Sequence, residues 1–248
     1  MFLFCCGQYA EIMALDPRSL QPVFSLASRV EPDWVACFCL LRPHKKPIDV
    51  VIGLSQSNVV KIWTLDSKRE FRSTDPWYED ESKQLRQAAA VQITCCPDNQ
   101  RCMLVICEET WQIFDASDFS LLCTVDSPPG EIWLGGCFTA VDKVAMFCSD
   151  GVAYLYQLPR SAVISGSTPS SAPILEPMIY CVMKAGEEDD TIQPAPSVFY
   201  SAMILPKGGR SSVPVIVQGT YSGVIHIWRI PAVSEKAIAS LQQVLGLV

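Results

Sequence analysis

Two histidines and no Cys-x-x-Cys spacing leave this 248-residue sequence short of the residue patterns that hold a metal ion. Structural zinc sites use closely spaced Cys and His ligands. The twelve cysteines instead fall in apolar runs, with close pairs at Cys5-Cys6, Cys37-x-Cys39 and Cys95-Cys96. Adjacent strand residues point to opposite faces, so such pairs are poorly placed to share an ion. We predict no metal and no cofactor, and interpret the cysteines as reduced, buried hydrophobes of a cytosolic protein.

Basic runs and long apolar runs are missing as well. The 19 Lys and Arg are outnumbered by 26 Asp and Glu, for a net charge of −7, and the densest basic stretch, Arg42–Lys46, is typical of a loop. Nucleic-acid binding needs clustered Lys and Arg, so no nucleic-acid partner is expected. No stretch of about 18 apolar residues is present, and Met1–Cys6 is too short for a signal peptide and lacks a basic leader. We expect a soluble intracellular chain that meets membranes only peripherally, through partners.

The sequence does contain a recurring segment, in which a turn precedes alternating apolar residues that end in a bulky or aromatic residue. The copies run through Ala10–Asp16, Asn58–Trp63, Thr110–Asp115, Gly151–Tyr156 and Gly223–Trp228. We take their bulky end positions as candidate blade-structural residues: Leu15, Trp63, Phe114, Tyr156 and Trp228. An imperfect repeat of strand-sized units predicts a stacked or radial β array, and such arrays usually bind rather than catalyse.

The spacing of these positions fits propeller blades. Three of the four intervals lie near the roughly 40–45 residues of a WD-type blade, and the last is longer by about 30. The excess falls at Ser-, Gly- and Pro-rich residues 160–173 and at acidic, Pro-rich residues 186–197, which we predict to be insertion loops.

Each copy also has strand candidates before and after it, which gives four strands per unit. Continuous apolar runs such as Cys102–Cys107 suit strands buried on both faces. Short turns such as Ser149-Asp150-Gly151 join the runs. Four strands per unit is the pattern of a propeller blade.

Counting units predicts an all-β, WD-type β-propeller that is incomplete, with about four and a half blades over residues 1–231. Residues 232–248 have apolar positions at helical spacing, which predicts a short amphipathic C-terminal helix or an extended tail. The count favours an internal portion of a longer propeller, because an unclosed propeller leaves exposed edges.

Catalytic patterns are weak throughout. Gly53-Leu54-Ser55-Gln56-Ser57 lacks the final Gly of a nucleophile elbow and joins strand to strand. His226 sits in mid-strand without a nearby nucleophile partner. We therefore predict a non-enzymatic protein with no small-molecule substrate.

One acidic segment carries aromatic residues. Trp77, Tyr78, Glu79, Asp80 and Glu81 lie together within Asp75–Glu81. The spacing does not match a calcium loop, and a solvated loop is the simplest interpretation. Exposed aromatic residues beside charges are nevertheless typical of protein contacts, so these five residues are our candidate protein-contact site.

The repeated strands resemble the third strand of the WD-repeat family. They depart from its pattern because no Gly-His or Trp-Asp dipeptide occurs, and only Phe114-Asp115 and Leu15-Asp16 keep the acidic residue. Four further segments look like the N-terminal propeller region of the rabconnectin beta-subunit family, in order and over nearly the whole chain: Pro32-Asp33-Trp34, Glu79–Lys83, Phe114–Cys123 and Asp150–Pro159.

That resemblance implies a large cytosolic scaffold that pairs with a rabconnectin alpha-like subunit. It further implies partners among V-ATPase peripheral subunits and Rab-regulating proteins, peripheral association with synaptic or endosomal vesicles, and support of V-ATPase assembly, vesicle acidification and trafficking. The alternative that the repeat pattern leaves open is a WD-repeat adaptor of a coat or ubiquitin-ligase complex.

Overall fold

The structure is a computed structural model that describes residues 2–7, 9–30, 33–41, 48–66, 75–85, 90–96, 99, 101–160, 177–184, 198–204, 215–220 and 225–229. From residue 183 onward it describes the backbone alone. Strands dominate these ranges, and none of the described segments forms a helix long and apolar enough to cross a membrane. The chain divides into two compact units, Met1–Cys95 and Cys96–Val248.

The first unit contains two four-stranded sheets. One has the order β1 (Leu3–Gly7), β2 (Tyr9–Leu15), β3 (Pro22–Ala27) and β7 (Trp77–Tyr78). The other has the order β4 (Val35–Leu41), β5 (Ile48–Ser55), β6 (Val59–Asp66) and β8 (Glu81–Gln84). All neighbours are antiparallel except β3 and β7, which pair in parallel. The last strand of this unit is β9 (Ala90–Cys95).

The second unit continues the pattern of antiparallel neighbours in chain order. The first group of paired strands is β10 (Cys102–Cys107), β11 (Thr110–Asp115) and β12 (Leu121–Asp126). A four-stranded sheet follows, formed by β13 (Trp133–Ala140), β14 (Lys143–Cys148), β15 (Val152–Gln157) and β16 (Met178–Lys184). A three-stranded sheet of β17 (Val198–Ile204), β18 (Val215–Thr220) and β19 (Ile225–Arg229) comes last.

Apolar runs form the second strand of most sheets because that strand is covered on both faces. Every residue of β10 is buried, and β14 is buried from Val144 to Cys148. The first unit packs Ile12, Phe24, Leu26, Val51 and Trp63 into one core. Gly53 of β5 leaves room there, because a Cβ at this position would lie 3.0 Å from the Trp63 ring. The close approach of the indole to this strand therefore favours glycine at this position.

The second unit has a core of its own around Trp111, Trp133 and Tyr156. The Trp111 and Tyr156 rings meet edge to face, with centroids 5.0 Å apart. Gly136 of β13 is needed beside this core, since a Cβ would lie 2.6 Å from the carbonyl oxygen of Ala145 on β14. These contacts pack the aromatic rings against neighbouring strands of the second unit.

The candidate blade-structural residues lie in strands. Trp63, Phe114 and Tyr156 are buried in the third strands β6, β11 and β15, and Leu15 ends β2 half-buried. Trp228 lies in β19, where the backbone alone is described. Residues 161–173, 186–197 and 232–248, which include most of the predicted insertion loops and the whole predicted tail, lie outside the described residues.

Candidate protein-interaction surface

The acidic segment, predicted as a loop, instead forms two strands that belong to two sheets. Trp77 and Tyr78 of β7 stand opposite Leu26 and Ala27 of β3. Three residues later the chain pairs with β6, where Glu81 stands opposite Ile62. The loop prediction is wrong here because tertiary pairing gives this polar segment a strand conformation that its composition does not favour. One short segment thus closes the outer edges of both sheets of the first unit.

Trp77 anchors this segment in the core of the first unit. It is only 7% exposed, and its ring lies 6.3 Å from the Phe24 ring in the core of the first unit. The expectation that both aromatic residues are exposed is therefore wrong for Trp77. The side chains of a strand alternate between faces, so burial of Trp77 directs the next residue outward.

Tyr78 is that outward residue, with 37% of its surface exposed. The guanidinium carbon of Arg29 lies 4.4 Å from the centre of its ring, within the range of a cation–π interaction. Val30, which follows Arg29 in the chain, is 49% exposed. We call Arg29, Val30 and Tyr78 the Arg29–Tyr78 surface.

Glu79 fixes the backbone of the Arg29–Tyr78 surface through hydrogen bonds. Its carboxylate accepts hydrogen bonds from the backbone N–H groups of Arg29 and Val30, at 2.9 and 3.0 Å, and from the hydroxyl of Ser28 at 2.9 Å. Burial raises the pKa of Glu79, but the hydrogen bonds outweigh it and the net pKa lies below the usual value. The ionised Glu79 carboxylate therefore holds residues 28–30, which follow β3, in place.

Asp80 has a similar internal role on the other sheet. Its carboxylate accepts a 2.6 Å hydrogen bond from the backbone N–H of Thr64, and its own N–H donates to the Ile62 carbonyl at 2.8 Å. Glu81 follows as an exposed residue of β8. Of the five predicted contact residues, Tyr78 and Glu81 thus present their side chains outward, and Trp77, Glu79 and Asp80 hold the segment in place.

Sequence reasoning missed Arg29 and Val30, which lie about 50 residues before Tyr78. They carry no local motif, and only the pairing of β3 with β7 brings them to this surface. Asp33-Trp34, an acidic residue followed by an aromatic one at the end of the β3–β4 connection, stands out in the sequence only as part of a family resemblance.

Asp33 forms a clasp between the start of β4 and the β5–β6 turn. Its carboxylate accepts 2.6 Å hydrogen bonds from both the N–H and the hydroxyl of Ser57, and the N–H of Gln56 donates to the Trp34 carbonyl at 2.9 Å. The hydrogen bonds from Ser57 lower the pKa of Asp33. Trp34 stays 42% exposed beside this clasp.

The second unit repeats the clasp with other residues. The Ser149 hydroxyl of the β14–β15 turn donates to Glu131 and accepts from the N–H of Ile132 at 2.9 Å. Ile132 is 39% exposed, in the same relation to β13 as Trp34 has to β4. Each unit therefore uses an acidic residue and a serine to display an exposed hydrophobic residue just before the first strand of a sheet.

No arrangement suited to metal binding emerges from the described residues. They contain no group of three His, Cys, Asp or Glu side chains placed to hold a metal ion. His44 lies outside the described residues, and His226 lies in β19, where the backbone alone is described. The arrangement of exposed aromatic, apolar and cationic groups on rigid strands is suited to contact with another protein.

Comparison with known proteins places these features in a class. Human WD repeat-containing protein 72 is 29% identical over 237 residues and covers 94% of the chain. The orangutan (Pongo abelii) and mouse proteins of that name are 30% and 27% identical. The chain spans about a fifth of the length of these curated relatives, at 21–22%. No protein-family model matches the chain.

Solved structures agree on the fold. A chain of the mitotic checkpoint complex has a TM-score of 0.59 at 16% identity, and BBS1N in complex with ARL6DN has 0.58 at 12%. The C-terminal WD40 domain of Sif2 has 0.53 at 13%. They cover 92–93% of this chain and 54–62% of their own chains. The all-β, WD-type propeller class predicted from the sequence is confirmed, and the relatives that the chain resembles are named as WD-repeat proteins.

Proposed function

We propose that this chain is a non-catalytic protein-binding scaffold that acts within a rabconnectin-like complex. The relatives named WD repeat-containing protein 72 and the WD40 neighbours support the scaffold role. The resemblance of Glu79–Lys83, Phe114–Cys123 and Asp150–Pro159 to the rabconnectin beta-subunit family supports the particular complex. In this proposal the whole protein is cytoplasmic and associates peripherally with synaptic or endosomal vesicles, where it supports V-ATPase assembly and acidification.

The observation that carries the proposal is the Arg29–Tyr78 surface. An aromatic ring with a guanidinium group stacked on it is a frequent energetic centre of protein interfaces. Its backbone is fixed on both sides, by the β3–β7 pairing and by Glu79, so binding would cost little ordering of the chain. We assign this surface to the rabconnectin alpha-like subunit, with V-ATPase peripheral subunits and Rab-regulating proteins as further partners of the complex.

The structural neighbours fit a binding role of this kind. One of them is a chain in complex with ARL6DN, and another belongs to the mitotic checkpoint complex. Propellers of this fold therefore serve as partners within assemblies, which is what we propose for this chain.

The test compares two double variants of the full-length protein by affinity capture. Arg29→Ala with Tyr78→Ala removes both stacked groups and keeps the β3–β7 backbone pairing, so recovery of the alpha-like subunit should fall at least about tenfold. Arg18→Ala with Leu20→Ala is the matched control, because it removes an exposed cation and an exposed apolar residue from the β2–β3 turn of the same unit. Equal recovery with the two double variants would refute the assignment of the surface.

The identity of the captured proteins tests the wider proposal. V-ATPase peripheral subunits recovered with the unmodified protein support the rabconnectin-like role. Cullin or coat subunits in their place would contradict it and would support the adaptor alternative, whatever the Arg29–Tyr78 surface contributes.

A further inference from the structure

Two cysteines far apart in sequence meet inside the first unit. Cys39 lies in β4 and Cys95 is the last residue of β9, 56 residues later, and their sulfur atoms are 2.9 Å apart. The two strands pack beside each other, so the approach is part of the strand packing and not an accident of a loop. Cys39 is buried and Cys95 is partly exposed.

This arrangement differs from that of other cysteines in the chain. The thiols of Cys6 and Cys96 point at backbone carbonyl oxygens, those of Ala36 and Ala140, at 4.0 and 3.9 Å. Such thiols behave as small hydrophobes with a weak hydrogen bond. Cys39 and Cys95 instead direct their sulfur atoms at each other, 2.9 Å apart, so a small approach of the two sulfurs would reach the bond length of about 2.05 Å of a disulfide.

We infer that Cys39 and Cys95 form an oxidisable dithiol site that closes to a disulfide when the protein meets a peroxide. The partly exposed Cys95 is the sulfur that peroxide reaches first, giving a sulfenic acid and one water. The Cys39 sulfur then attacks the Cys95 sulfur, the S–OH bond breaks, and the hydroxide leaves with the Cys39 proton as a second water. Two thiols and one hydrogen peroxide thus give one disulfide and two waters. Two molecules of a small thiol such as glutathione restore both cysteine thiols by successive exchange and leave as glutathione disulfide.

The surroundings of Cys39 set the speed of the second step. The hydrogen bond with Cys95 and then burial raise the pKa of the Cys39 thiol well above its usual value, so the thiol is protonated at neutral pH. A protonated thiol attacks slowly. We therefore expect disulfide formation over minutes to hours under sustained oxidant, rather than a fast peroxidase-like cycle.

A bound metal is a poorer explanation of the pair. Zinc takes four ligands, and the described residues offer no group of three Cys, His, Asp or Glu side chains. A disulfide needs two sulfurs only, and here it would tie the first strand of one sheet to β9 across 56 residues of chain. Such a cross-link removes entropy from the unfolded chain and should raise the melting temperature by about 5–10 °C.

The test is peptide mapping of the full-length protein after treatment with hydrogen peroxide and alkylation of free thiols. The expected product is a Cys39–Cys95 linked peptide pair that is absent before oxidation, that dithiothreitol abolishes, and that appears together with the rise in melting temperature. Cys95→Ser and Cys39→Ser should each remove the linked peptide and the rise. Cys181→Ser is the matched control, a half-buried thiol on another strand, and should keep both.

Other products would overturn the inference. Cys39 and Cys95 both recovered as alkylated thiols, Cys95 recovered as a sulfinic acid or a mixed disulfide, or a link from Cys95 to another cysteine would each contradict it. Mapping of the unmodified protein decides the question even if a serine variant fails to fold. The outcome is independent of the partner that the Arg29–Tyr78 surface binds.

Discussion

Two turns, one in each unit, share their main hydrogen bonds to an aspartate but differ in sequence. In the β2–β3 turn the Asp16 carboxylate accepts from the N–H groups of Arg18 and Ser19, and in the β11–β12 turn the Asp115 carboxylate accepts from the N–H and hydroxyl of Ser117. In each, the N–H of the fourth residue after the aspartate donates at 2.8 Å to the aspartate carbonyl. The aspartate therefore determines the turn, and the other positions vary.

The two turns differ in burial. The fourth residue has a positive φ in both, 56° at Leu20 and 58° at Phe119, a conformation that costs a bulky residue about 1–2 kcal/mol. Leu20 is 59% exposed and gains little in return, whereas Phe119 is 7% exposed. Asp115 also pairs with Arg101 at 2.6 Å. The repeated backbone geometry is thus supported by packing and an ion pair in one unit and by local hydrogen bonds in the other.

Removing the aspartate should give the largest contrast between the turns. Asp115→Ala loses the hydrogen bonds from Ser117 and the ion pair with Arg101 in a largely buried place, so we expect the free energy of unfolding to fall by about 2–4 kcal/mol. Asp16→Ala acts at an exposed turn and should cost clearly less. Urea denaturation measures both, and Asp126→Ala, at an exposed aspartate that ends β12, serves as the control. Equal losses for Asp16→Ala and Asp115→Ala would contradict the comparison.

Acidification should remove the stability that both aspartate carboxylates give to their turns. Burial raises the pKa of Asp115, but hydrogen bonds from Ser117 and Arg101 outweigh it, and the net pKa is lowered. Hydrogen bonds from Ser19 and Arg18 lower the pKa of Asp16. A lowered pKa gives stability that is present above the unfolded value of about 3.9 and is lost as pH falls through the folded value. The stability difference between unmodified protein and Asp115→Asn should therefore shrink below about pH 4 in urea titrations. A difference that persists at lower pH would show that the carboxylate charge is not its source.

Glycine at the fourth turn position should have opposite effects in the two units. Leu20→Gly relieves the positive φ at an exposed residue, and we expect a net gain of about 0.5–1 kcal/mol after the entropy cost of glycine. Phe119→Gly relieves the same backbone but loses a buried ring, for a net loss of about 2 kcal/mol. Thermal and urea unfolding measure both changes. Leu20→Ala keeps a Cβ at the positive φ and should not reproduce the gain, so a gain with alanine would refute strain as the cause.

The serine clasps should give the smallest difference. Ser149→Ala loses the hydrogen bonds of its hydroxyl with Glu131 and Ile132, so we expect a loss of about 1–2 kcal/mol. Ser57→Ala loses the hydroxyl's bonds with Asp33 and Ser55, but Ser57 is exposed and its backbone N–H keeps the bond to Asp33, so the loss should stay at about 0.5 kcal/mol. Urea unfolding of both variants measures the difference. A larger loss with Ser57→Ala would reverse the order.

Strand positions were the part of the fold that sequence patterns could predict. The apolar run Cys102–Cys107 is β10 without change, and the run Asp49–Leu54 lies within β5, because strands covered on both faces need continuous apolar residues. The pattern failed at β7 and β8, where Glu81–Gln84 is exposed throughout and forms a strand only because β6 offers an open edge. Arg29 and Val30 could not be placed beside Tyr78 from the sequence for a related reason, because they reach it only through long-range pairing, which local sequence does not encode.

The double attachment of the segment from Trp77 to Gln84 also bears on how a partner would sense this protein. Tyr78 stands beside Arg29 only while β7 stays paired with β3, and β8 holds the same segment to the neighbouring sheet. Opening of either sheet would strain or release the other through a few residues of chain, and the stacked pair would separate. A protein that binds there would therefore engage only molecules in which both sheets have formed, and assembly would itself discriminate folded from misfolded subunits.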